Sequence, residues 1–273
     1  MPSVIDQLNE TVAFIKSRCA SQPQTGIVLG SGLGNFLSEI TIKESIPYQD
    51  IPHFPVSTVE GHEGSLVFGE LMGREVAVMA GRFHYYEGYS PQDVVYPIRT
   101  LKFLGIDQLL LSNAAGGVNT SFKVGDLMII NDHISMSIIN PLIGKNEEAL
   151  GTRFPDMSEP YSKHLIGVAK KAGEKLGIKL KEGVYYGVTG PTFETHAEYR
   201  MIKLVGADVV GMSTVQESIV AVHMGMKVLA ISVVTDMGIR NDDSVITHEE
   251  VLQAAQEAEP KLTALFKEIV GNL

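Results

Sequence analysis

Short apolar runs rich in β-branched residues alternate along the chain with segments in which apolar residues recur at helical spacing. The runs predict strands at residues 26–31, 66–71, 76–81, 109–114, 127–132, 184–190, 209–212 and 228–236. Helical spacing predicts an N-terminal helix after Ser3 and helices over residues 91–104, 163–176, 196–205, 214–224 and from 248 to near the C-terminus. This alternation predicts one α/β domain with a mixed sheet.

Local start and stop signals support the predicted helices. Capping-box spacing occurs at Ser90 with Asp93, Thr195 with Glu198, Ser213 with Gln216 and Thr247 with Glu250. Gly105, Gly206 and Gly225 stand just after helices, where glycine ends a helix most easily. Three long irregular segments remain, residues 46–64, 140–161 and 237–247, and loops of this length are usually functional or mobile.

The charge and the cysteine content of the chain argue against several classes of function. The formal net charge of −10, with no basic stripe, argues against a nucleic-acid or anionic-membrane partner. The lone Cys19 excludes an internal disulfide and fits a reducing compartment. The N-terminus shows no signal-peptide pattern, and no apolar run has the length of a membrane span. These features predict a cytoplasmic protein.

A glycine-rich stretch, GIVLGSGLGNF, follows the first predicted strand at residues 26–36. As a dinucleotide-binding fingerprint it fails, because Asn35 stands where the third glycine belongs. The lysine of a P-loop is also absent. Two interpretations remain: a tight strand-to-helix turn, or a nest of backbone amides that, with the Ser31 hydroxyl, holds a single phosphate.

Two other predicted strands are also followed by stretches that could bind a ligand. In GRFHYYEGYSPQD, Arg82, His84 and Tyr86 share one face if the stretch is extended, and they suit an oxyanion beside a hydroxylated group. The alternative is a polar loop in which Arg82 pairs with an acid. In LLLSNAAGGVN, small residues around Ala114 either let a ligand reach the backbone or simply form a turn.

The second half of the chain adds candidate site residues, and each of them has two interpretations. Phe193 and Glu194 precede a helix cap, so they either support that helix or hold an aromatic base by stacking and hydrogen bonding. Ser213 is an N-cap, a phosphate ligand or both. Asp236 ends a strand in a predicted cleft, and His248 opens the last helix as a ligand contact or a surface residue. No cluster has metal-ligand spacing.

Five stretches in this order, GSGLG, GRFHYYEGY, NAAGGVN, GPTFETHAEYR and GMSTVQE, resemble the trimeric purine nucleoside phosphorylases across residues 26–248. The methylthioadenosine phosphorylases are a less close match. The resemblance implies a single α/β domain, residues 1–273, with a mixed, partly barrel-like sheet flanked by helices. It also implies a homotrimer that cleaves purine nucleosides with phosphate as co-substrate and with no metal or organic cofactor.

Residue by residue, the resemblance implies a complete site. The phosphate ligands would be Ser31, His62, Arg82, His84, Ala114 and Ser213. The nucleoside contacts would be Tyr86, Met212 and His248 at the sugar, and Tyr185, Phe193, Glu194 and Asp236 at the base, with Phe154 entering the neighbouring subunit's site. Asp236, His84 and Glu194 would be the catalytic residues.

Asp236 departs from the pattern of the 6-oxopurine-specific members, which usually carry asparagine there. An ionised aspartate only accepts hydrogen bonds, which suits the amine of adenine, whereas Glu194 accepts from the N1–H of inosine and guanosine. Either Asp236 is protonated by burial and acts as the acid at N7, or the enzyme accepts both purine classes, with adenosine or methylthioadenosine as a substrate beside the 6-oxopurines. The intact GPTFETHAEYR favours 6-oxopurines.

Two other function classes fit fewer of these residues. A nucleoside hydrolase would use water in place of phosphate and has no need of the anion ligands Ser31, Arg82, His84 and Ser213. A binding module without activity would keep the fold and lose turnover.

Overall fold

A computed structural model describes residues 2–56, 64–239 and 245–273 of the chain. The strands are β1 Thr25–Val28, β2 Thr41–Pro47, β3 Ser65–Leu71, β4 Arg74–Ala80, β5 Gln108–Gly117, β6 Leu127–Ile134, β7 Leu180–Gly187, β8 Val209–Gly211 and β9 Lys227–Met237. The helices are α1 Val4–Arg18, α2 Pro91–Phe103, α3 Lys163–Leu176, α4 His196–Leu204, α5 Val215–His223 and α6 His248–Gly271. Every predicted strand and helix therefore has a counterpart.

All these strands belong to one mixed sheet in the order β2-β3-β4-β1-β5-β8-β7-β6-β9, and β9 also pairs with β5. The second pairing joins β5, β8, β7, β6 and β9 into a closed ring. The ring confirms the expected partly barrel-like α/β fold, while β2, β3, β4 and β1 extend from it as an open sheet. Within the described residues, no helix is both long and apolar enough to cross a membrane.

Four strands, β4, β1, β5 and β9, run parallel to one another. Strands buried on both faces read as continuous apolar runs, and β1 and β9 show that pattern. The carboxyl ends of parallel strands meet at one edge of a sheet, where open α/β proteins bind ligands. The segments that follow β1 and β4, together with the last residues of β5 and β9, thus meet at that edge.

Two predictions from the sequence are corrected here. β2 falls in a region not predicted as a strand. Among the described strands it pairs only with β3, at the sheet edge, and its side chains are mostly exposed, so it lacks an apolar run. The α5 helix begins one residue later than predicted, with Thr214 as N-cap and Glu217 three residues on, in place of Ser213 with Gln216. The other three capping boxes are confirmed.

Candidate functional site

A cavity of about 550 Å³ opens at this edge of the sheet. Most of the residues predicted for the site line it: Ser31, Arg82, His84, Tyr86, Ala114, Phe193, Glu194, Met212, Ser213, Asp236 and His248. They come from separate parts of the chain, so the fold alone brings them together. His62 lies outside the described residues.

The turn after β1 approaches the neighbouring strand β5 closely. The Gly30 amide donates to the Ser112 hydroxyl over 3.2 Å, and that hydroxyl donates to the Val28 carbonyl. A methyl group at Gly30 would lie 2.9 Å from the Asn113 Cα and the Ser112 carbonyl oxygen, both backbone atoms. Glycine is therefore required for this contact, which presents Ser31 to the cavity.

We expect Gly30→Ala to lower the free energy of unfolding by about 1–3 kcal/mol, the usual cost of overpacking. Gly34→Ala is the matched control, because no neighbouring atom lies within 4 Å of a methyl group there. Denaturant unfolding of both variants measures the difference. Equal stability losses at the two positions would contradict the close contact.

Buried hydrogen-bond partners hold the Arg82 side chain in place. Its Nε donates to Glu217 Oε1 over 3.1 Å, and its Nη1 donates to the Ser112 carbonyl and, over 3.4 Å, to the Ser213 hydroxyl. Arg82 is 1% exposed. A buried guanidinium held by a carboxylate and a carbonyl keeps one orientation. The positive charge of Arg82 is therefore already positioned to bind an anion in the cavity.

Glu217 was not predicted as part of the site, although it lies in the GMSTVQE stretch. Its second oxygen accepts from the Thr214 amide over 3.1 Å, so one carboxylate both caps α5 and pairs with Arg82. Thr214 has a φ of 67°, a left-handed conformation that is costly for threonine. Ser213, the residue before this N-cap, lines the cavity.

His84 and Tyr86 lie beside Arg82, although the stretch is not extended throughout. The chain forms a 3₁₀ turn at Tyr85–Glu87, which stacks the His84 and Tyr86 rings with centroids 4.7 Å apart. Glu87, also not predicted, accepts from the His84 amide at 2.8 Å and lies 3.0 Å from His84 Nδ1. Burial raises the pKa of Tyr86 to about 12, so its hydroxyl stays protonated.

The carboxyl groups of Asp236 and Glu194 also line the cavity, and Asp236 lies on β9, three strands along the sheet from β4, which Arg82 follows. Asp236 is 5% exposed at the end of β9, and its Oδ1 accepts from the Thr235 hydroxyl over 3.1 Å. Burial is the main cause that raises the pKa of Glu194. Phe193, Met212 and Pro191 add apolar surface to the same cavity. The cavity can therefore take an anion at one end and a flat group with hydrogen-bonding edges at the other.

Two residues implied by the resemblance lie outside this cavity. Tyr185 was expected near the base, but it is fully buried beneath Ser213, whose amide donates to the Tyr185 hydroxyl over 3.3 Å. Tyr185 therefore supports the cavity wall. Phe154 is 85% exposed beside a second surface cavity, with the Arg153 guanidinium 5.5 Å from its ring centre.

Two further cavity residues, Asn113 and Tyr199, were also absent from the predicted set. The Asn113 amide donates to the Thr214 hydroxyl over 2.9 Å and so links β5 to the start of α5. Both lie in stretches that carry the resemblance, Asn113 in NAAGGVN and Tyr199 in GPTFETHAEYR. Among the described residues, no group of three or more His, Cys, Asp or Glu side chains is placed to hold a metal ion.

Comparison with known proteins gives consistent matches. The model of the phosphorylase superfamily matches residues 24–271. Purine nucleoside phosphorylase 1 of Geobacillus stearothermophilus is 52% identical over 266 residues, which cover 97% of each chain. Among solved structures, Schistosoma mansoni purine nucleoside phosphorylase in complex with adenosine matches with a TM-score of 0.94 at 42% identity over 98% of each chain. The same organism's enzyme with inosine gives 0.92 at 40% identity, over 98% of this chain and 97% of that one.

Proposed function

This chain belongs to the phosphorylase superfamily, and we propose that it is a purine nucleoside phosphorylase, which converts a purine nucleoside and phosphate into free base and ribose 1-phosphate. One observation carries the proposal. A single cavity is lined both by the buried cation Arg82 and by Phe193, Glu194 and Asp236. A hydrolase would not require the anion end.

Phosphate binds at the end formed by Arg82, His84, the Ser31 and Ser213 hydroxyls and the backbone near Ala114. The net charge of −10 repels an anion at long range, so these local donors must supply the attraction. Glu217 and Glu87 hold Arg82 and His84 in place before phosphate arrives. His62 belongs to the same proposed set by resemblance.

The nucleoside binds across the rest of the cavity. Tyr86, Met212 and His248 contact the sugar, and Phe193 packs on the face of the purine. The Glu194 carboxylate accepts from the N1–H of a 6-oxopurine. Asp236 faces the N7 edge, the atom that must gain a proton as the base departs.

The chemistry follows from holding both reactants in one cavity. Phosphate held against C1′ reacts faster because the two reacting atoms are already close together. Its negative charge also stabilises the oxocarbenium-like transition state. As the C1′–N9 bond breaks, a phosphate oxygen bonds to C1′ and the bond's electron pair stays with the purine. Asp236, protonated in its buried position, transfers its proton to N7 and becomes a carboxylate.

The test is phosphate-dependent release of base from inosine and from adenosine, side by side, with a control without phosphate. We expect cleavage of inosine only with phosphate, and slower cleavage of adenosine. Equal or faster adenosine cleavage would mean that Asp236 is ionised and accepts from the 6-amino group. Cleavage without phosphate would favour the hydrolase.

We further propose a homotrimer in which Phe154 enters the neighbouring subunit's site. Residues 136–154 expose four apolar side chains, Met136, Ile139, Ile143 and Phe154, with exposures of 87, 40, 65 and 85%, respectively. Exposed apolar side chains grouped in this way usually mark a protein interface.

We expect Phe154→Ala to raise the KM for inosine about tenfold or more, because a buried phenylalanine contributes about 1.5–3 kcal/mol. The KM for phosphate should change little. Met72→Ala removes an exposed apolar side chain from the β3–β4 hairpin and is the control. An unchanged inosine KM in a Phe154→Ala trimer would contradict the shared site.

We also propose a cytoplasmic role in purine salvage. Free base and ribose 1-phosphate are the products from which other nucleosides or nucleotides are rebuilt. The single cysteine, Cys19, suits a reducing compartment.

A further inference from the structure

Residues 30–36, the phosphate loop, follow β1 and carry Ser31, the proposed phosphate ligand that lines the cavity. The loop begins against β5, because the Gly30 amide donates to the Ser112 hydroxyl. It ends in the 3₁₀ turn Gly34–Glu39. The position of Ser31 therefore depends also on what holds this second end.

The second end is held by Glu259 of α6. One carboxylate oxygen accepts from the side-chain amide of Asn35 over 2.8 Å, and the other accepts from the backbone amide of Phe36 over 3.2 Å. Glu259 is 4% exposed. Because a buried carboxylate is costly unless hydrogen-bond donors satisfy it, these two bonds hold the loop firmly on the helix.

The face of α6 that holds the loop also reaches the cavity. Val251, Ala255 and Glu259 are spaced four residues apart, so they lie along one face of the helix. A methyl group at Gly32 would lie 2.9 Å from the Ala255 side chain, so the loop packs directly against the middle of this face. Val251 and the first residue of the helix, His248, line the cavity. One helix therefore supports the phosphate loop and contributes to the nucleoside site.

We propose that Glu259 is a positioning residue for phosphate, which holds the phosphate loop where Ser31 reaches the anion. Asn35, which breaks the dinucleotide-binding fingerprint, supplies the side-chain donor for this contact. When the contact is lost, the loop occupies its binding position for only part of the time, and the apparent affinity for phosphate falls by that fraction. The inference rests on the proposed function and adds a residue that controls phosphate affinity from outside the cavity.

The first test is Glu259→Ala, which removes both hydrogen bonds. We expect the KM for phosphate to rise about tenfold, the effect of losing one hydrogen bond to a charged group. The kcat at saturating phosphate and the KM for inosine should change little, because the buried apolar residues of α6 keep the helix in place. Since the substitution removes a negative charge, electrostatics alone would lower the KM for phosphate. A rise therefore reports the position of the loop.

A double-mutant cycle tests the same contact with side chains of similar size. Asn35→Asp replaces the donor with a second carboxylate and should also raise the KM for phosphate. Adding Glu259→Gln restores a donor and an acceptor, because the new amide donates to the new carboxylate and its oxygen accepts from Phe36. The double variant should recover most of the phosphate affinity, since residues in contact have effects that do not add.

Glu39→Gln is the matched control. Glu39 lies in the same 3₁₀ turn and forms an exposed ion pair with Lys267, further along α6. Such a pair contributes little, and it lies beyond the end of the phosphate loop. We expect this variant to keep the KM for phosphate of the unaltered enzyme.

The outcomes separate the two proposals. An unchanged KM for phosphate in Glu259→Ala, or an equal rise in Glu39→Gln, overturns the role of Glu259 and leaves phosphorolysis intact. If Glu259→Ala does not fold, the cycle decides, and additive effects of its two substitutions overturn the role. Failure of the unaltered enzyme to cleave inosine with phosphate overturns the proposed function. Calorimetric titration of the same variants with inorganic phosphate alone then still tests Glu259.

Discussion

Arg82→Met is expected to lower kcat/KM for phosphate by about a hundred- to a thousandfold, the usual loss when a group that binds developing or transferred charge is removed. It should also lower the free energy of unfolding by about 3–5 kcal/mol, because Glu217 is left buried without its cation. Phosphate saturation kinetics and denaturant unfolding measure the two effects.

A double variant separates the structural effect from the functional one. When Arg82 and Glu217 both become methionine, no buried charge is left unpaired, and much of the lost stability should return. Turnover should stay low because the cation is still missing. Recovery of activity along with stability would mean that Arg82 supports the fold and does not bind phosphate.

Asp236→Ala is expected to lower kcat for inosine by about a hundred- to ten-thousandfold, the usual contribution of general acid catalysis. Asp236→Asn should retain far more inosine activity, since its amide can donate to N7 and O6, and should lose adenosine cleavage. Steady-state kinetics with both nucleosides measure these effects.

Asp107→Ala serves as the control for Asp236→Ala. Asp107 forms an exposed ion pair with Lys102, and such pairs contribute little to stability. This variant should keep full activity. If Asp236→Ala also keeps full activity, Asp236 does not protonate the leaving base.

The helices were predictable because their signals are local. Ser90 with Asp93 and Thr247 with Glu250 lie three residues apart, and both boxes occur as expected. The start of α5 was missed by one residue because two hydroxyl residues adjoin there. The outcome depends on Glu217, which also pairs with Arg82, 135 residues away.

The sheet was predictable wherever strands are buried and apolar. β2 was missed because its side chains are mostly exposed and it ends in Pro47. The pairing of β5 with β9 closes the ring, and no local pattern shows a contact between strands so distant in the chain.

The candidate site likewise contains some residues that local sequence patterns predict and others that only the fold reveals. Arg82, His84 and Asp236 stand at strand ends, where the sequence pattern already indicates a ligand. Glu217 holds Arg82 through a contact between distant segments, which requires the fold.

Phosphorolysis can be tested directly by following the phosphorus NMR spectrum while the enzyme cleaves inosine in phosphate buffer. We expect ribose 1-phosphate to appear in a one-to-one ratio with hypoxanthine as inorganic phosphate is consumed. Hypoxanthine released with free ribose, and no loss of phosphate, would contradict it.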